Sequence, residues 1–370
     1  MRIGIDARLI HWPGIGRYID TLLKYLVQTE PQHEYIIYHT TSENHIPFFA
    51  TQAIRVTQKN FPYPAFSVAE QLYWPHQIRQ DRLDVFHAPH YVAPLFTSTP
   101  VVVTIHDLVG FRYPEHFYSP FARLYYKAMT YAAARKARKC ITGSNFTKQE
   151  LITLLKIDPA KVQIVPYGVD TERFTSNHPD QKQITQKYNI PDSALLYLGT
   201  KKQWKNLPML LKALNLMVKK GEQATLILAG KNARHQQDLA PLIRDLQLQE
   251  HILEVGFIEE ADVSAFYAAA TIFVFPSYYE GFGLPILEAM ASGVPVVASN
   301  AASIPELVGD AGILMDPHTP HKWAEVMIQL LHNKPTRHEL VQQGLARVQQ
   351  FSWQDCAQNT FKVFQDATRQ

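Results

Sequence analysis

Short β-branched runs alternate with helical segments along the whole chain, and this alternation admits few folds. RIGID, EYIIYH, DVFHA, VVVTIHD, KCITGS and VQIVPYG read as buried strands. GRYIDTLLKYLV, SVAEQLYWPHQIR and NFTKQELITLLK read as helices between some of them, the last with a capping box made by Thr147 and Glu150. A second series follows: ALLYLG, ATLILAG, ILEVGF, TIFVFPS, VPVVAS and AGILMD, with NLPMLLKALNLMVKK and DVSAFYAAA among its helices. Strands that alternate with helices build parallel sheets covered on both faces. The polar, turn-rich stretch YGVDTERFTSNHPDQ, residues 167–181, separates the two series. A chain of 370 residues is also long enough for about two cores. The expected fold is α/β, with two doubly wound Rossmann-like domains, 1–170 and 171–351, facing each other across a cleft. The closing segment 352–370 reads as a helix capped by Ser352, with Trp353, Cys356, Ala357, Thr360, Phe361 and Phe364 on one face, and is expected to pack back on the first domain. In such sheets ligands bind beyond the carboxyl ends of the strands, so the loops carry the function.

Composition narrows the function classes. Two cysteines, Cys140 and Cys356, make no disulfide framework and point to a reducing compartment. Met1 runs directly into a strand without the pattern of a signal peptide, and no apolar run reaches bilayer length. A cytoplasmic protein is expected. A net charge of +3 is too mild to argue for nucleic acid, but it fits an anionic small ligand or an acidic membrane surface. The charge concentrates between Tyr118 and Cys140, where Arg123, Lys127, Arg135, Lys136, Arg138 and Lys139 accompany an apolar series of Phe121, Leu124, Tyr125, Ala128 and Ala132. The preferred reading is a packed helix with cations at its C-terminal end; peripheral contact with an anionic membrane is the alternative.

The stretch PSYYEGFGLPILEAM, residues 276–290, carries the most chemistry. Pro276 stops a strand, Gly281 and Gly283 permit a tight path, and Pro285 fits the first turn of a helix that Gly293 ends. The N–H groups of Gly283 and Leu284 then leave a helix start, where anions bind. Glu280 before the turn and Glu288 inside the helix face different parts of an extended ligand. Carboxylates beside an anion site make sense as acceptors from hydroxyls, so a phosphate plus hydroxyls describes a nucleotide sugar. Taken singly, each acid reads as well as a solvated or helix-stabilising residue. His87 and His90 in FHAPHY lack a third metal ligand at useful spacing, and no metal site is expected. The glycines at 14 and 16 lack the third glycine and the acidic strand end of a dinucleotide site.

EGFGLPILEAMASGVPVVAS resembles the Glu-x7-Glu signature of the retaining family 4 glycosyltransferases, which have the GT-B two-domain fold. IDARLIHWPGIGRY is similar to that family's glycine loop, TIHDLVGFRYPEHF to its acceptor-side histidine loop, and LYLGTKKQWKNLPMLLKA to its basic donor loop. ITGSNFTKQEL, VPYGVDTERF, AASIPELVGDAGILMDP and the closing FSW helix extend the match over nearly the whole chain. The resemblance implies that the first domain serves the acceptor and the second binds the donor. It places Glu280 on hydroxyls of the transferred sugar, Glu288 on the nucleotide ribose, and the Gly283 and Leu284 amides on the diphosphate. Gly14, with Gly16 beside it, approaches that diphosphate, His106 lies near the reacting centre, and Phe257 and Ile258 match the base-recognition strand end.

The implied reaction moves a hexose from a nucleotide diphosphate sugar to a glycan or lipid-linked glycan with retention of configuration, using neither cofactor nor metal. The GIGRY type of glycine loop is most similar to polysaccharide mannosyltransferases, so mannose and GDP-mannose are favoured. One position departs from the pattern. Where the family's donor loop reads Arg-Lys-Asn, this chain has Trp204, Lys205 and Asn206. Lys205 keeps the matching lysine, and Lys202 is the expected compensation for the missing arginine clamp. The alternatives are a degenerate protein that binds a nucleotide sugar without transfer, and a GT-B epimerase or phosphorylase.

Overall fold

The computed structural model describes residues 1–12, 14–40, 55–114, 117, 119–230 and 236–369. Pro13 of the glycine loop, Glu115 and His116 of the histidine loop, Tyr118 at the start of the basic segment and Gln370 of the closing segment lie outside the described residues. The chain divides into two compact units. One comprises 1–168 with 353–370, and the other 169–352.

The first unit holds a seven-stranded sheet of β1 (Arg2–Asp6), β2 (Glu34–His39), β3 (Val56–Asn60), β4 (Val85–Ala88), β5 (Val101–Thr104), β6 (Lys139–Thr142) and β7 (Val162–Ile164). The strand order is β3-β2-β1-β4-β5-β6-β7, and every pairing is parallel. Ile3 on β1 stands opposite both Tyr35 and Val85, and all three side chains are buried. β4 and β5 are buried along their whole length, as expected of strands covered on both faces. The edge strand β3 reads VTQKN and escapes a search for apolar runs, because its residues are only half covered.

The second unit holds β8 (Ala194–Leu198), β9 (Thr225–Ala229), β10 (Ile252–Gly256), β11 (Ile272–Phe275), β12 (Val296–Ser299) and β13 (Ile313–Met315). Their order, β10-β9-β8-β11-β12-β13, is again wholly parallel. Both sheets are doubly wound. The first reverses direction between β1 and β4, and the second between β8 and β11.

Three local expectations need attention. The closing helix, Trp353–Arg369, buries Trp353, Cys356, Ala357, Thr360, Phe361 and Phe364 within the first unit. There Phe361 stacks on His33 at 4.7 Å and Phe364 lies 5.2 Å from the His87 ring. The helix Asn145–Leu155 starts one turn earlier than the capping box implied. Ser144, still extended after β6, accepts from the Thr147 N–H at 3.1 Å, while Glu150 takes Arg112 at 2.8 Å. The basic helix Pro120–Lys136 buries Tyr126, Thr130, Ala133 and Ala134, a face offset from the expected one. Phe121 is 83% exposed and Leu124 66%. The packed side uses small residues that let the helix approach the sheet closely. Phe121 and Leu124 face water instead.

Candidate active site

The reversal between β8 and β11 leaves a gap at their carboxyl ends, which is where doubly wound sheets receive ligands. Two loops leave it, one after each strand. From the loop after β8, Lys205 extends its ammonium to both oxygens of Glu280 on the other loop, at 2.6 and 2.8 Å. Both side chains are largely covered, so the pair is a fixed part of the site rather than a surface ion pair. Asn206, at φ 58°, donates from its amide to the carbonyls of Pro276 at 3.1 Å and Pro317 at 2.9 Å. The Tyr278 N–H reaches the Trp204 carbonyl at 2.8 Å, a second tie between the loops. Ser303 Oγ lies 2.9 Å from the Glu280 carbonyl and 2.8 Å from that of Phe282, and fixes the turn by donating to one of them.

Beyond that turn the helix Leu284–Ala291 begins at Gly283, whose φ of 123° is open to glycine and strained for any other residue. Among the described residues neither the Gly283 nor the Leu284 N–H meets an acceptor. Pro285 in the first turn has no N–H to satisfy. Gly293, at φ 69°, terminates the helix. Glu288 is 3% exposed, and the Tyr267 hydroxyl donates to its Oε2 at 3.0 Å. That bond orients the carboxylate and leaves it little freedom.

The loop after β8 shows what replaces the arginine. Trp204 is buried beneath the turn Gln203–Lys205, and the Lys202 ammonium lies 5.9 Å from its ring centre. Desolvation lowers the Lys202 pKa from its ordinary value. Lys201 is bonded to Glu254 at 2.8 Å. Lys202 thus rests on the indole of Trp204, and Lys205 lies over the Phe275 ring at 5.6 Å. Phe257, 59% exposed, and the buried Ile258 follow β10, two strands from β8.

Gly14, Gly16 and His106 belong to the first unit. Gly14, at φ 78°, precedes the helix Ile15–Thr29, and a Cβ on Gly16 would sit 2.1 Å from the Ile10 carbonyl oxygen. The loop after β1 is thereby pinned against the helix start. His106 has both ring nitrogens engaged. Nε2 donates to the Pro89 carbonyl at 3.0 Å, so Nδ1 accepts from the Tyr167 hydroxyl at 2.7 Å. Burial pushes its pKa down to about 4, which makes it a neutral, immobile ring. His87 is also buried, with its pKa pushed down to about 3 by burial and by nearby His106 and His90.

These two rings give the first unit an acid sensitivity. Each stays neutral when folded and binds a proton near pH 6.5 when unfolded. Their contribution is complete above that pH and is lost as pH falls toward the folded values, at about 1.4 kcal/mol per unit for each ring. Urea midpoints are expected to drop steadily from about pH 6.5 to about pH 4.5, and His87→Gln to halve the slope. A midpoint that stays level over that range would contradict the assignment.

At the reversal of the first sheet the structure also assembles a group that the sequence reading missed. Arg8 donates to Asp6 at 2.8 and 2.6 Å and to Glu70 at 2.5 Å, while His90 Nε2 lies 2.9 Å from Asp6 Oδ2. All four side chains are buried. Burial pushes the Asp6 carboxyl up, but the Arg8 charge and the Arg8 and His90 hydrogen bonds outweigh it and hold it well below the usual range. The Arg8 guanidinium also stacks against Phe61 and Trp74. Glu70 and His90 lie too far from Asp6 and Arg8 in sequence for any spacing rule to join them. No cluster of three or more metal-ligating side chains occurs among the described residues.

Comparison with known proteins agrees with this architecture. The family model "Glycosyl transferases group 1" matches residues 180–347, and "Glycosyltransferase Family 4" matches residues 12–173. The chain is 30% identical to O-antigen chain mannosyltransferase B of Escherichia coli, over 98% of this chain and 99% of that one. It is 28% identical to the serotype-specific mannosyltransferase WbdA of Escherichia coli, over 71% of this chain and 33% of the longer protein. In fold it is similar to HepE of Anabaena, crystallised with UDP and glucose, at a TM-score of 0.78 and 21% identity over 99% of both chains.

Proposed function

Because this chain belongs to the family 4 glycosyltransferases, we propose that it is a retaining mannosyltransferase that uses GDP-mannose and a glycan or lipid-linked glycan acceptor. The observation that carries this reading is the Lys205–Glu280 pair, held beside the amides of Gly283 and Leu284 at the reversal of the second sheet. The mannosyltransferase names of two relatives support the choice of sugar.

In this reading the donor diphosphate lies on the two amides, with Lys202 and Lys205 supplying positive charge. Glu280 accepts hydrogen bonds from hydroxyls of the transferred sugar, and Glu288 holds the ribose. The bond from the anomeric carbon to the diphosphate oxygen breaks as a bond to the acceptor oxygen forms on the same face. The acceptor's proton passes to the departing diphosphate. Catalysis then consists of orientation and stabilisation of the charge that develops on the leaving group. Cationic side chains fill the role that a divalent ion would otherwise take. His106, with both nitrogens bonded, acts by position and transfers no proton.

The burial of Trp204 favours one second reading, a protein that binds the donor without transferring it. Incubation with a panel of GDP-, UDP- and ADP-sugars plus acceptor extracts separates the two readings. Release of GDP from GDP-mannose is the expected result. Tight calorimetric binding without release would select the second reading, and no interaction with any donor would remove both.

Among the described residues no helix is long and apolar enough to cross a membrane. Peripheral contact has a different basis. The helix Pro120–Lys136 carries Arg123, Lys127, Arg135 and Lys136 and no acidic residue, and it exposes Phe121 and Leu124. Such a face fits an anionic bilayer, where each basic residue near the surface contributes about 1 kcal/mol. The protein is expected to pellet with phosphatidylglycerol vesicles at low salt and to be released as salt rises. Phe121→Asp with Leu124→Asp should weaken binding by about tenfold or more. Equal pelleting with neutral vesicles would refute the electrostatic part.

A further inference from the structure

The loops after β1, β3 and β4 of the first sheet carry an aromatic surface that the proposed function does not use. Trp12 is 51% exposed and rests on Phe66, with ring centres 5.6 Å apart. Phe66 stacks in turn on Tyr91 at 5.0 Å, with the planes only 6° apart. Phe66 adopts φ 68°, a conformation that costs a bulky residue strain and requires a local cause. The cause is the buried charge group. Glu70 accepts the Phe66 N–H at 3.0 Å, and Arg8, paired to Asp6 and Glu70, donates to the Tyr63 carbonyl at 2.9 Å. The network thus fixes the loop that lifts Phe66 under the indole. Other aromatics nearby have an ordinary role: Phe61 and Trp74 are buried and stacked at 3.8 Å in the core.

Next to this surface, the Tyr125 hydroxyl is buried without a hydrogen-bond partner among the described residues. Burial and the Glu70 charge push its pKa up to about 12 against the opposing effect of Arg8, so it remains a neutral donor. An unpartnered buried hydroxyl is an unspent hydrogen-bond donor beside this surface. The Arg8 guanidinium, whose charge acts on Tyr125, is paired to two carboxylates. A phosphate is disfavoured there, and a neutral polyhydroxyl ring fits: C–H groups on the indole face, hydroxyls at the rim.

We propose that Trp12, carried on Phe66 and Tyr91 at the carboxyl edge of β1, β3 and β4, is a stacking platform for a sugar ring of the acceptor glycan, with the Tyr125 hydroxyl as its polar partner. The proposal rests on the glycosyltransferase reading and adds the acceptor's contact residues to it.

The chain itself supplies the probe. Of its five tryptophans Trp12 is the exposed one, whereas Trp74, Trp204, Trp323 and Trp353 are each less than a tenth exposed. Acrylamide therefore quenches chiefly Trp12. Mannotriose is expected to protect that emission, and methyl α-mannoside to do so more weakly. By calorimetry, Trp12→Ala should weaken mannotriose binding about tenfold, and Trp12→Phe should restore it to within about threefold. Tyr125→Phe should weaken it several-fold. Phe96→Ala, at a ring that is 71% exposed before the amino end of β5, should bind as the wild type does. Absence of protection, or Trp12→Ala binding mannotriose as tightly as the wild type, overturns the platform. GDP-mannose binding measured in parallel keeps the two ideas apart. A protein that binds the donor but gives no protection loses only the platform, and one that binds neither loses the proposed function as well.

Discussion

Glu280→Ala is expected to lower turnover of the nucleotide sugar about a hundredfold while raising the donor Kd less than tenfold. The carboxylate holds Lys205 by two charge-assisted bonds and, in the proposed function, accepts from the sugar's hydroxyls. Losing two such bonds in the transition state, at about 1.5 kcal/mol each, corresponds to about a hundredfold in rate. Donor affinity falls less, because the diphosphate still has the Gly283 and Leu284 amides. Glu280→Gln keeps the shape but not the charge, and should recover only part of the loss. Single-turnover rates with GDP-mannose decide the matter. If Glu280→Ala turned over within threefold of the wild type, the assignment of Glu280 would be wrong.

The second large effect concerns stability. Arg8→Met should destabilise the first unit by about 3–5 kcal/mol, because Asp6 and Glu70 then remain buried without their counter-charge. The rule for buried charges is asymmetric: removing one partner is costly, whereas removing all of them can be nearly neutral. The triple change Arg8→Met, Asp6→Asn, Glu70→Gln is therefore expected to recover most of the stability. The amide oxygen left by Glu70→Gln can still accept the Phe66 N–H, so the position of Phe66 should be kept. Urea unfolding of the single and triple variants tests the first claim. A single variant within 1 kcal/mol of the wild type would show that the network does not hold the fold.

Most of the fold is visible in the chain because buried parallel strands read as continuous β-branched runs. β4 and β5 are found this way, and β3 is not, since VTQKN at a sheet edge has no such run. The acidic turn is legible for the same local reason: glycine, proline and glutamate act on their immediate neighbours. Arg8 with Glu70, or Asp6 with His90, is a different case, since only the order of the strands brings them together. The basic helix misleads because bulky residues at helical spacing suggest a buried face, whereas the sheet takes the small residues Ala133 and Ala134. Thr147 has the residue type and spacing of a cap, but Ser144, which leaves β6 already extended, makes it. Trp204 marks a departure in sequence, but only the structure shows the indole as a floor beneath Lys202.

The first unit is discontinuous in sequence, since its last helix, Trp353–Arg369, follows the whole of the second unit. Domains generally fold as the ribosome delivers them, first part first. Here that schedule is inverted. The earlier-made body must wait, with Tyr18 on one helix uncovered, until Trp353–Arg369 has been made. It is the later-made body that has all its pieces first. Chaperone dependence during translation should therefore track the opening segment of the polypeptide, and stop codons placed anywhere before Trp353 should yield an aggregating product rather than an active half.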